Sequence, residues 1–143
     1  MAVTQGIAGA RDLTLVLDVD ALERSALAKI DRVMLLALDA LSCAGVRVVL
    51  AARDERERAV RLQRRLRGST YVDPRALSFA GLPAPLLVVS DDPALLAMLE
   101  PDDRGIALGR PELASRQIAP AGDTSVRATL WWLLDERTRA TAS

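Results

Sequence analysis

The sequence predicts an α/β domain built on a parallel sheet with helices on both faces. Three observations predict it. The runs "LTLVLD", "VRVVLAA" and "PLLVVSDD" are continuously apolar up to their ends, the pattern of strands buried on both faces. Segments with helical apolar spacing separate these runs, and such alternation marks a parallel sheet covered by helices. At 143 residues, half of them apolar, the chain is one domain of ordinary size with a real core. The expected architecture is a three-layer, Rossmann-like sheet over residues 13–139, with 1–12 a loose leader and 140–143 a tail.

The elements follow in order. "LTLVLD" is the first strand. From about Arg24 to Ala44, Leu27, Ile30, Met34, Leu38 and Leu41 recur at helical spacing, and Gly45 supplies the stop. "VRVVLAA" (46–52) is the second strand. "RDERERAVRLQRRLRG" is a highly charged helix with a thin apolar face of Ala59, Leu62 and Leu66. Its outward Arg61, Arg64 and Arg65 are interleaved with Asp54, Glu55 and Glu57, the mark of a solvated face. "TYV" is a short third strand, and "DPRALSFAG" a short helix with Asp73 as cap and Pro74 at its first position. After "PLLVVSDD", Pro93 opens the helix "PALLAMLE". "GIALG" is a brief strand, and a last helix covers about Thr124 to Arg139.

Composition narrows the function. Nineteen basic and nineteen acidic residues leave no net field for nucleic acid or an anionic membrane, and aromatic residues, at 3%, are too few for base stacking. The absence of histidine excludes His-dependent triads and imidazole zinc sites. The single cysteine, Cys43, suits a reducing cytoplasm, and no apolar tract reads as a targeting or membrane segment. The expectation is a cytoplasmic protein with no membrane and no nucleic-acid partner.

The chemistry-bearing feature is a repeat of one pattern, an apolar run followed by paired acids. Asp18 and Asp20 end the first strand; Asp91 and Asp92 end "PLLVVSDD". Like charges placed where hydration is reduced are costly unless a cation or a reaction uses them. The plain alternative has Asp20 capping the following helix and Asp18 at a solvated strand end. In a parallel sheet the strand C-termini gather at one edge, where ligands bind, so neighbouring strands bring all four carboxylates to one crevice, a Mg²⁺ site in outline.

With these residues the chain resembles the haloacid dehalogenase-like (HAD) phosphohydrolase superfamily. "LVLDVDALE" is similar to its first motif, a strand ending Asp-x-Asp, and "VVSDDPALLAMLEPDDRGIALGRPELA" to its fourth motif and the segment beyond. The nearest flavour is the sugar-phosphate branch that includes trehalose-phosphate phosphatases. The resemblance implies Asp18 as nucleophile, Asp20 as general acid–base, and Asp18, Asp20, Asp91 and Asp92 as ligands of Mg²⁺, which neutralises charge near the phosphate. It implies a capless core, since about twenty-five residues separate Asp20 from the second strand.

The phosphate half departs from the family. Ala51 or Ala52 stands where the second motif has Ser or Thr, and the one lysine, Lys29, lies in the first helix. Arg75 is the nearest substitute for the third-motif lysine, although a planar fork does not reproduce a point charge. The resulting expectation is a divergent domain that binds Mg²⁺, with weak or lost phosphatase activity on a phosphorylated small molecule. The rivals are a working Mg-dependent sugar-phosphate phosphatase and a non-catalytic scaffold. On the last helix Val126, Leu130 and Leu133 face the core, placing Trp131 and Trp132 on its flanks, where they are candidates for a homo-oligomer interface.

Overall fold

A computed structural model describes residues 6–24, 30–66, 68–73, 81–121 and 125–142. Six strands form one all-parallel sheet: β1 (Thr14–Asp18), β2 (Arg47–Ala51), β3 (Thr70–Val72), β4 (Leu86–Ser90), β5 (Arg104–Leu108) and β6 (Ile118–Ala121). Their order is β3-β2-β1-β4-β5-β6. The helices are α1 (Val19–Arg24), α2 (Arg32–Cys43), α3 (Arg56–Arg65), α4 (Pro93–Leu96) and α5 (Ser125–Ala142), with a 3-10 turn at Pro111–Leu113. This is the three-layer, Rossmann-like α/β architecture.

Alternation along the strands assigns the layers. Leu15, Leu17, Val48, Leu50, Leu87 and Val89 pack with Met34, Leu38 and Leu41 of α2, Ala59 and Leu62 of α3, and Val126, Leu130 and Leu133 of α5. The intervening Val16, Val49, Ala51, Leu86 and Val88 face the other way, onto Leu95 and Leu96 of α4. Both faces of β1 are therefore buried, as its continuous apolar run required.

The elements differ from the sequence expectation in two main places. The helix expected from Arg24 to Ala44 is two: α1 ends at Arg24, and α2 starts at Arg32 because Asp31 caps it, its side chain accepting from Met34 N–H at 2.9 Å. Gly45 ends α2 as expected, with a φ of +88° that side-chain-bearing residues rarely adopt. The strand β6 went unread because "IAPA" is short and carries Pro120, which the sheet tolerates at its edge. The expected helix after Asp73 lies outside the described residues.

Ile7 and Ala8, in the segment expected to be a loose leader, are buried against the α2–α5 layer. Arg137 of α5, itself buried, ties them down: its guanidinium donates to the carbonyls of Ala8, Ala10 and Arg11, and to Ala44 at the end of α2. Asp103, just before β5, does similar work at the start of β4, accepting from the N–H groups of Leu86 and Glu100 at 2.9 Å each. Among the described residues no helix is long and apolar enough to cross a membrane.

Candidate functional site

β1 and β4 lie side by side while their chains continue to opposite sides of the sheet, β1 toward β2 and β4 toward β5. The crevice at their C-terminal ends is thus the switch point where ligands of such sheets bind. The register sets Leu17 opposite Val89, which puts Asp18 beside Ser90 on one face. A cleft of about 360 Å³ opens there, and all four predicted acids, Asp18, Asp20, Asp91 and Asp92, line it together with Asp54, Arg24, Arg53 and Arg110.

Each acid already has a protein partner. Asp18 accepts from Ser90 Oγ–H at 2.7 Å and from Ala21 N–H at 3.2 Å, so it is Asp18, and not Asp20, that caps α1. Asp20 sits in the first turn of α1 and reaches across to the loop after β2. Its carboxylate accepts from Arg53 N–H at 2.8 Å, Asp54 N–H at 3.1 Å and Glu55 N–H at 2.7 Å. Since Glu55 offers no side-chain cap to α3, Asp20 organises that helix entrance from a distance. Asp91 pairs with Arg24 at 2.7 Å, and Asp92 caps α4 by accepting from Ala94 N–H at 2.9 Å. Ser90 Oγ also accepts from Asp92 N–H at 3.0 Å, joining the two strand ends into one network.

Burial is the largest influence on Asp18 and pushes its pKa above the ordinary 3.8. The bonds from Ser90 and Ala21 pull it back, and the charges of Asp20 and Asp91 push it up again, leaving it raised. Arg24 is held more firmly protonated, first by its bond to Asp91 and further by the fields of Asp91, Asp18 and Asp20. With side chains 55% and 27% exposed, the Arg24–Asp91 pair contributes at most ~1 kcal/mol to folding. Its importance is to the charge of the cleft.

The magnesium ion implied by the resemblance would be held by one or two carboxylates plus water and phosphate, and those carboxylates must be free to face it. Here Asp91 faces a guanidinium, Asp20 faces three N–H groups and Asp92 faces its helix. Among the described residues no three acidic or cysteine side chains form a group that could hold a metal ion. The donor set as arranged does not fit magnesium.

Of the expected phosphate-binding residues, Arg75 lies outside the described residues. Ala51 and Ala52 are fully buried and belong to core clusters on opposite faces of the sheet; neither lines the cleft. The sequence reading missed Ser90, Arg24, Arg53 and Arg110. Two of these had a signal: Ser90 is the small polar residue between the apolar run and the acids, and Arg24 stands four residues after Asp20, hence on the same helix face. No protein-family model, curated protein or solved structure gives a match to this chain.

The raised pKa of Asp18 gives a prediction with a definite sign. A native state that binds the proton more tightly gains stability below the unfolded value near 3.8 and loses it as pH rises through the native pKa. Asp18→Asn mimics the protonated form, so at pH 7 it should melt higher than wild type. That advantage should vanish below about pH 3.8, where the unfolded-state carboxyl is also protonated. Thermal melts of both proteins across this range check it; a variant less stable than wild type at pH 7 would contradict the assignment.

Proposed function

We propose that this chain is a divergent HAD-like phosphohydrolase domain, acting in the cytoplasm, in which phosphatase turnover is weak or lost. One observation carries the reading: the four acids that the resemblance assigns to catalysis share the β1–β4 cleft, yet each is held by a structural partner. Their position supports descent from an aspartate-based site, and their bonding supports loss of the reaction. A nucleophilic Asp18 must give up the Ser90 hydroxyl or attack with its oxygens already hydrogen-bonded. A general acid–base at Asp20 must release the loop 53–55. The intended ligand is a phosphorylated small molecule, met at the cleft rim by Arg53 and Arg110.

Turnover gives the test. Asp18 pairs in register with Ala51, whose side chain shares the sheet face of Asp18 and Ser90, whereas Ala52 points into the opposite layer. Hydrolysis of p-nitrophenyl phosphate should be at background in wild type, indistinguishable from Asp18→Asn. Neither Ala51→Ser nor Ala52→Ser should raise it, because both alanines are fully buried in the core and neither lines the cleft. Wild-type turnover far above that of Asp18→Asn would instead establish a working phosphatase.

A second reading, assembly into a homo-oligomer, is favoured by the exposure of Trp131 at 40% and Trp132 at 44% while their neighbours Leu130 and Leu133 are buried in the core. Tryptophan is among the residue types enriched at interface hot spots. Light scattering should find a dimer or larger species that Trp131→Ala/Trp132→Ala converts to monomer. A wild-type monomer at high micromolar concentration would exclude this reading.

A further inference from the structure

Five carboxylates line the cleft (Asp18, Asp20, Asp54, Asp91 and Asp92) against three guanidinium groups. Of those three, Arg110 bonds Glu112, which lies outside that set, at 2.6 Å. Arg24 alone among the described residues pairs with a cleft carboxylate, Asp91, at 2.7 Å. Two local features put it there. The helix α1 begins directly after Asp18, and the four-residue spacing stacks Arg24 over Asp20. Asp91 follows Ser90, the residue bonded to Asp18, so the pair forms directly beside the seam between β1 and β4.

We infer that the Arg24 guanidinium is the built-in cation of this cleft, occupying Asp91 where a divalent metal would have to bind, so that the cleft takes up no magnesium. A guanidinium remains protonated at any working pH, forms directional bonds to carboxylate, and needs no dehydration of a tightly hydrated ion. A divalent ion entering here would have to expel Arg24 from Asp91 and then sit against the displaced positive charge. Removing that charge reverses the balance. It frees Asp91 and leaves the cleft with three more carboxylates than guanidinium groups instead of two. The inference concerns the cation alone and stands whether or not the site turns over a phosphate ester.

The experiment is a titration of the full chain with MgCl2 and, separately, with Mn²⁺ followed by electron paramagnetic resonance, at constant ionic strength. Wild type should show no magnesium-dependent rise in melting temperature at millimolar concentration and no bound Mn²⁺ signal. Arg24→Met, which keeps the aliphatic length and removes the charge, should bind Mn²⁺ at least tenfold more tightly than wild type and melt higher in MgCl2. Arg24→Lys should behave as wild type, and Arg24→Met/Asp91→Asn should lose the gain. Millimolar Mg²⁺ binding by wild type that disappears in Asp91→Asn would overturn the inference. So would a folded Arg24→Met protein that gains no affinity. Should Arg24→Met fail to fold, the wild-type titration decides alone.

Discussion

A carboxylate removed from water must be met by donors or by a cation, and this constraint organises the C-terminal edge of the sheet. Asp18 ends the central strand with both faces of that strand buried, so its charge cannot be left to solvent. The protein answers with Ser90 from the neighbouring strand and with the first turn of α1. That seam fixes where β1 and β4 end relative to each other. It also fixes where α1 begins and where Asp91 stands to receive Arg24. Asp20 extends the same logic to β2, on the other side of β1, because three N–H groups of the loop after β2 converge on it.

The same bonds account for the proposed loss of chemistry. Phosphoryl transfer to a carboxylate needs an oxygen free to attack and positive charge near the leaving oxygens. In this cleft the hydrogen-bond donors point at the carboxylates themselves. Arg24 neutralises Asp91, and of the two other guanidinium groups lining the cleft, Arg53 and Arg110, the latter bonds Glu112. At Asp20 the carboxylate has a structural role, substituting for the cap that α3 lacks.

Much of the fold was legible from local pattern. β1, β2, β4 and β5 are apolar runs without alternation, and α5 shows its buried stripe of Val126, Leu130 and Leu133 in the spacing alone. What escaped was set by contacts between distant segments or by single caps. The break before α2 depends on Asp31, and β6 depends on an edge position that excuses its proline. At the site, the acids were visible because charge directly after an apolar run is conspicuous. Their partners were not, since Ser90 is 72 residues from Asp18 in sequence and Asp91 is 67 from Arg24. No local pattern carries that information; only the adjacency of β1 and β4 does.

The claim on which this account rests is that the acids of the cleft are satisfied from within the protein. The most direct measurement is a crystal structure of wild type grown in high magnesium chloride with a phosphate mimic such as beryllofluoride. The account predicts Arg24 on Asp91, Ser90 on Asp18, and no metal between the strands. A magnesium ion held by Asp18 and Asp91, with Arg24 swung into solvent and beryllofluoride on Asp18, would contradict it.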